Sequence, residues 1–445
     1  MDQNTILCVS AGTHLAKNHF KSRDYVKDDV YLSYGLLGLA TNLANKGFDA
    51  RMFQGDTKSI EMFCNEIKSQ SINLDNLNHP ILIALQSMFA IDWANDFIAA
   101  IKKENPEQKI IAGGRWVIDK NHEWIKQKMP NVDFFALGCP DNVIAEMLDP
   151  KNWHKFNSPQ ISVKPFSKLN YSLLNNFKLY QPSIDVGRGC PGKCNFCNEK
   201  DQPYGFASIK TPQEAIQEIQ NICELYGSDT LNVGFPVSHF SPTKQWAEEF
   251  AKLYKEHGMK FNWRTQGRAD MVNPEIIRIL AGAGLKVLDI GLESASPEQL
   301  IKMQKTNNPK EYLKKAEHLI KTTSDAGVWP KLNLLFYPGE THKTLDETQE
   351  WLAKNKGHYK GCIANPFTLY RNGEDTAPFV EYIENLSGSR PDTAHLENHG
   401  YTYVDLSKEI PIEKAKTLCN DVVNRFTSPK DFKELKEVWY TPREI

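Results

Sequence analysis

Residues 183–197 read Ser183-Ile184-Asp185-Val186-Gly187-Arg188-Gly189-Cys190-Pro191-Gly192-Lys193-Cys194-Asn195-Phe196-Cys197. The first four positions are a short strand signal, and the glycines after them turn the chain into a loop that carries three cysteines. Thiolates this close together are a metal-ligand pattern. Four irons held by three cysteines leave one iron open to a substrate or cofactor. Zinc is the other reading, but structural zinc needs a fourth ligand and usually a second close pair, and none lies nearby in the sequence. Cys8, Cys64, Cys139, Cys223, Cys362 and Cys419 stand singly in apolar or helical contexts, the ordinary setting of a small buried hydrophobe.

Downstream of the loop, strand signals recur at 230–235, 261–266, 287–291, 331–336 and 363–368, each separated by a helical pattern. Helix starts are marked by Thr211-Pro212-Gln213-Glu214 and Ser296-Pro297-Glu298-Gln299, with proline at the first helical position. Six β/α repeats over 180–375 predict a partial (β/α)6 TIM-type barrel with its chemistry at the carboxyl ends of the strands. Residues 376–445 read as a helical tail.

Upstream, 1–150 alternates strands at 5–10, 49–53, 81–85, 109–112 and 132–137 with helical stretches such as 35–45 and 93–103. That order predicts an α/β, doubly wound, Rossmann-like sheet whose ligands sit at the turns near Ser10, Ser87, Gly113 and Gly138. Glycines at such turns also serve simply to turn the chain. Residues 151–179 lack periodicity and are expected to be a linker.

Bulk properties narrow the partners. The 445 residues carry a net charge of -2 and no long Lys/Arg block, which argues against nucleic acid. No apolar run approaches the roughly 18 residues of a membrane span, and the start lacks a signal-peptide pattern. A cytoplasmic protein, without disulfides, is expected.

The Cys190-x3-Cys194-x2-Cys197 spacing, with Phe196 before the last cysteine, resembles the signature of the radical S-adenosylmethionine (SAM) superfamily. Asp185-Val186-Gly187-Arg188-Gly189-Cys190 is similar to the strand and turn that introduce it there, with Gly187 where serine is common. Trp263-Arg264-Thr265-Gln266-Gly267-Arg268-Ala269-Asp270, Gly291-Leu292-Glu293-Ser294-Ala295-Ser296 and Leu335-Phe336-Tyr337-Pro338-Gly339-Glu340-Thr341 resemble later segments of the same family. The resemblance implies a 4Fe-4S cluster on Cys190, Cys194 and Cys197 and S-adenosylmethionine near Phe196, Gly234, Arg268, Glu293 and Ser294. It also implies a reductant such as flavodoxin or ferredoxin. After the second strand, relatives often carry an acidic pair; here the chain reads Pro236-Val237-Ser238-His239. Tyr204, His239, Tyr337 and Arg371 are polar groups near expected strand ends, and a satisfied surface histidine is the plainer reading of His239.

The first 150 residues resemble the cobalamin-binding-type domain that precedes many such cores, which would place cobalamin near Ser87, Gly113, Gly114 and Gly138. The Asp-x-His-x-x-Gly motif that supplies a cobalt-binding histidine is absent. With cobalamin, the implied reaction is methylation of an unactivated centre in a small molecule or peptide. Alternatives are a cobalamin-dependent rearrangement or cyclisation, and methylthio transfer using a second cluster on Cys8, Cys64 and Cys139. A non-catalytic cobalamin or iron-sulfur protein is the remaining possibility.

Overall fold

The protein was analysed as a computed structural model that describes residues 4–14, 32–162, 164–166, 168–202 and 209–439. The described residues divide into two units, one comprising those up to 180 with 202 and the other 181–201 with 209–439.

In the first unit, β1 (Thr5–Ser10), α1 (Tyr34–Asn45), β2 (Asp49–Gln54), α2 (Ile60–Ser69), β3 (Ile81–Ala84), α3 (Ile91–Glu104), β4 (Ile110–Gly113), α4 (His122–Lys128), β5 (Phe134–Phe135) and α5 (Ile144–Met147) follow in order. The strands form one parallel sheet in the order β2-β1-β3-β4-β5. All six residues of β1 are buried, as a central parallel strand covered on both faces requires. The chain leaves β1 toward β2 on one side and reaches β3 on the other, so the strand order reverses there, which is where sheets of this kind bind ligands at the ends of their strands. Residues 151–179, expected to be a linker, instead pack along this unit. Gln160 bridges Gly138, Asn170 N–H donates to Thr41 Oγ1 at 2.9 Å, and Leu174 bridges Met52. Phe166 fills the space left by the missing side chain of Gly38. A stretch without period thus holds its place through scattered anchors.

The second unit contains α6 (Pro212–Tyr226), β6 (Asn232–Gly234), α7 (Lys244–Glu256), β7 (Asn262–Arg268), α8 (Pro274–Ala281), β8 (Leu285–Glu293), α9 (Pro297–Lys302), α10 (Pro309–Asp325), β9 (Trp329–Phe336), α11 (His342–Lys354), β10 (Gly361–Pro366), β11 (Thr368–Tyr370), α12 (Thr376–Ser387), α13 (Thr393–His399), β12 (Tyr401–Tyr403), α14 (Ile412–Phe426) and α15 (Pro429–Trp439). Five parallel strands in the order β10-β9-β8-β7-β6 curl into a half-barrel. Residues 183–186, expected as a sixth strand, make only a parallel bridge from Ser183 to Gly234. Pro182 has no N–H to donate, and the Val186 carbonyl accepts from Lys210 N–H in place of a sheet partner.

Two features of the C-terminal region differ from a purely helical tail. β12 pairs antiparallel with β11, after Gly400 ends α13 in the left-handed conformation. Leu435 and Val438 of α15 pack on Val287 of β8 beside Trp329. Among the described residues no helix is long and apolar enough to cross a membrane.

Candidate functional site

The cysteine loop is fastened at both ends before any ligand is considered. Ahead of it, buried Asp185 accepts from Arg188 Nη2 at 2.9 Å, which holds the turn into the loop. Behind Cys194, Asn195 N–H donates to the Met303 carbonyl at 3.2 Å and Asn195 Nδ2 to the Lys302 carbonyl at 2.8 Å, tying the loop to the end of α9. Cys194 is buried, and Cys190 and Cys197 are half-buried. Gly192 N–H donates to Cys190 Sγ at 3.3 Å. Burial pushes the Cys190 thiol up, while this amide and Arg268 favour the thiolate.

Among the described residues no three His, Cys, Asp or Glu side chains gather closely enough to hold one metal ion. A cluster asks for a different arrangement, with one thiolate on each of several irons, and three cysteines spread along a pinned loop fit it.

Arg268, the last residue of β7, reaches this loop. Its Nη1 donates to Cys194 Sγ at 2.8 Å, Nε and Nη2 grip the two Asp270 oxygens at 3.1 Å each, and Nη2 also donates to the Lys305 carbonyl at 2.6 Å. A Cβ on Gly192 would lie 3.0 Å from Nη1, so glycine there leaves the guanidinium its room. Burial opposes the Arg268 charge, but Asp270 and Cys194 outweigh it and hold the pKa above the ordinary value.

Glu293 ends β8 with φ at +65°, a conformation that costs a non-glycine residue of order 1–3 kcal/mol and that surrounding contacts must enforce. The enforcing contacts are visible. A register shift in the β8–β9 pairing falls between Gly291 and Glu293, and Lys305 Nζ donates to Glu293 Oε1 at 3.1 Å. The Tyr312 hydroxyl donates to the carbonyls of Gly291 and Leu292 at 3.0 Å each. A Cβ on Gly291 would come within 2.8 Å of Glu293 Oε1, so a larger residue there would push the carboxylate from this position. Lys305 Nζ also lies 5.9 Å from the centre of the Phe196 ring, which links the Glu293 pair to the cysteine loop.

The other expected residues separate by what their side chains already do. His239 is buried rather than on the surface; its Nδ1 accepts from Arg268 N–H at 3.2 Å, and burial with the nearby guanidinium pushes it down to about 4. It is therefore a neutral anchor of Arg268. The Ser294 hydroxyl is spent on Thr348 Oγ1 and Ser296 N–H, and a Cβ on Gly234 would meet Ser183 Oγ at 2.8 Å. Tyr337 packs edge-on against Phe196 and Phe367 in a buried cluster, and burial pushes its phenol well up. Arg371 pairs with Glu397. Tyr204 lies outside the described residues. Asp270, Lys305 and Tyr312 were missed by sequence reasoning; only Asp270 had a local signal, its spacing of two from Arg268.

A cavity of about 260 Å³ adjoins the cysteine loop. Asn195, Phe196, Lys200, Phe367, Phe379 and Tyr382 are among the residues that line it. Phe379 and Tyr382 stack with centroids 6.0 Å apart.

In the first unit, Gly114 (φ +105°) lies against Leu85 and Gly138 (φ +76°) against Gln160, where a Cβ would come within 2.7 Å and 2.2 Å of backbone oxygen. Their own chain requires these glycines. At Gly113 the crowding is milder, a Cβ lying 3.3 Å from the Ala136 carbonyl oxygen, and the Ser87 side chain makes no capping hydrogen bond. Cys8 sits fully buried in the middle of β1 and its thiol is pushed up to about 12. Cys139 follows β5, three strand steps or roughly 14 Å of sheet from β1, and Cys64 is on α2.

Residues 184–352 match the model of the radical SAM superfamily. Over that stretch the chain is similar to radical SAM proteins. A methyltransferase of Pyrococcus horikoshii is 24% identical over 205 residues, covering 44% of this chain and 43% of that one, so the chain matches less than half of that relative's length. The ribosomal protein uS12 methylthiotransferase RimO of Thermosipho melanesiensis is 22% identical over 360 residues, 78% of each chain. Solved structures extend the likeness in fold beyond the radical SAM domain. The radical SAM methyltransferase TsrM from Kitasatospora setae, with tryptophan and a SAM analogue bound, superposes with TM-score 0.64 at 14% identity, over 88% of this chain and 79% of that one. The cobalamin-dependent SAM radical enzyme OxsB superposes with TM-score 0.59 at 12% identity, over 93% of this chain and 57% of that one.

Proposed function

We propose that this protein is a cobalamin-dependent radical SAM methyltransferase acting on a small molecule or peptide. The observation that carries the reading is the pinned loop of Cys190, Cys194 and Cys197 with Arg268 on one of its sulfurs. Three thiolates would hold three irons and leave one for the amino and carboxylate groups of S-adenosylmethionine. When bound, the cluster and S-adenosylmethionine supply a 5'-deoxyadenosyl radical by reductive C–S cleavage, and cobalamin supplies a transferable methyl group.

The chain's own part is placement. Glu293, held in one conformation by Lys305 and the bulge in β8, is pre-organised to accept from the ribose or amino group of S-adenosylmethionine. Phe196 would flank that cofactor, and a small substrate with a flat apolar part fits the aromatic cavity beside the loop. The ends of β1, β3 and β4, where the strand order reverses, suit a large planar cofactor, with Gly113 and the Ser87 hydroxyl left available. Methylthio transfer is favoured by relatives such as RimO. The separate placement of Cys8, Cys64 and Cys139 gives a second cluster no common seat, so methyl transfer is preferred.

Purification from cells supplied with cobalamin tests the methyl-donor half of this reading. About one cobalt per chain is expected, and the reduced cobalt(II) form should show no nitrogen superhyperfine splitting in electron paramagnetic resonance. Protein with a full cluster and no cobalt would remove methyl transfer.

A further inference from the structure

Resemblance to the family assigns Arg268 to S-adenosylmethionine, but its hydrogen bonds point elsewhere. Nε and one Nη2 proton are committed to Asp270, the second Nη2 proton to the Lys305 carbonyl, and an Nη1 proton to Cys194 Sγ. With its side chain only 9% exposed, the guanidinium has one proton left to offer. Its backbone is fixed as well, because His239 Nδ1 accepts from its N–H. This is a rigidly held cation aimed at one sulfur of the cysteine loop.

We propose that Arg268 is a positioning residue that sets the reduction potential of the cluster through Cys194 Sγ, with Asp270 as its counterweight. The inference rests on the cluster reading above. Reduction adds negative charge to the cluster and its sulfurs, so a donor at Cys194 stabilises the reduced form and raises the potential. Asp270 opposes it, since a carboxylate bound to both ends of the guanidinium fork cancels most of the charge felt at the sulfur. The two residues therefore pull the potential in opposite directions. Arg268→Gln removes the cation and lowers the potential; Asp270→Asn leaves the donor, frees its charge and raises it.

The test uses the full chain, reconstituted anaerobically with iron and sulfide, and follows the reduced-cluster signal by electron paramagnetic resonance during potentiometric titration. Equilibrium binding of S-adenosylmethionine is measured on the same samples. Expected are shifts of opposite sign in Arg268→Gln and Asp270→Asn with S-adenosylmethionine affinity held. Unchanged potentials in cluster-loaded variants would overturn the proposal, as would affinity lost in Arg268→Gln with the potential unmoved, which would make Arg268 a cofactor contact. Should Arg268→Gln not assemble a cluster, a potential in Asp270→Asn that is unchanged or lower would overturn it equally. Failure of the wild-type chain to assemble any cluster would instead remove the reading on which this one stands.

Discussion

At the scale of single residues, the site is organised around groups in conformations that only their neighbours justify. Glu293 is the clearest, a charged residue in left-handed backbone whose carboxylate occupies the space where a side chain on Gly291 would go. Gly291→Ala alters no charge and no expected cofactor contact, yet its methyl would collide with Glu293 Oε1. We expect it to weaken S-adenosylmethionine binding by about 1.5–3 kcal/mol, the worth of a charged hydrogen bond, with iron content unchanged. Isothermal titration checks this, and wild-type affinity would show that the Glu293 carboxylate makes no cofactor contact.

Glu340 gives a second residue-scale expectation. It is 1% exposed, and burial raises its carboxyl from 4.5 to about 8, against the Thr344 hydroxyl bonded to it and Lys302 nearby. Between those values the folded chain holds a proton that the unfolded chain releases. Stability from this group is therefore complete below pH 4.5 and lost as pH rises through 8. Glu340→Gln, always neutral, should gain thermal stability relative to wild type from pH 6 to pH 8.5. Parallel melting curves across that range would mean Glu340 is ionised in the fold.

At the scale of elements, what could be read from the sequence followed periodicity, and what could not followed long-range contact. The long strands and capped helices of the second unit were legible because each carries its own period and stop signals, as Thr211 shows by capping α6 in a full capping box. The first barrel strand was not reduced in the reading, since Pro182 acts on pairing rather than on the apolar pattern of 183–186. The packed stretch 151–179 was hidden for the same reason: its anchors at Gly38, Thr41 and Met52 lie more than a hundred residues away. Lys305 entered the site through tertiary contact alone, whereas the cysteines announced themselves by spacing.

The half-barrel also buries a charged layer that strand patterns do not reveal. Arg264 on β7 and Lys331 on β9 both donate to Asp289 on β8, the latter at 2.9 Å. Burial works against the Asp289 charge, but Lys331 and Arg264 hold its carboxyl below the usual range. Asp289→Asn removes the carboxylate that two buried cations share and should cost about 3–5 kcal/mol. Urea denaturation monitored on the second unit measures it; a loss below about 1 kcal/mol would show that the three side chains are solvated.

At the scale of the whole molecule, two α/β units are joined in one chain, a doubly wound parallel sheet in the first and a half-barrel in the second. In the second unit, residues from the cysteine loop, β7, β8 and the segment after α9 meet at the ends of the half-barrel strands, where ligands of such sheets bind. The most direct measurement is iron content together with 5'-deoxyadenosine release, taken on anaerobically reconstituted wild-type and Cys194→Ala protein given dithionite and S-adenosylmethionine. About four irons per wild-type chain, 5'-deoxyadenosine formation, and loss of both in Cys194→Ala are predicted. A full complement of iron in Cys194→Ala, or a loaded wild-type cluster that leaves S-adenosylmethionine intact, would contradict the account.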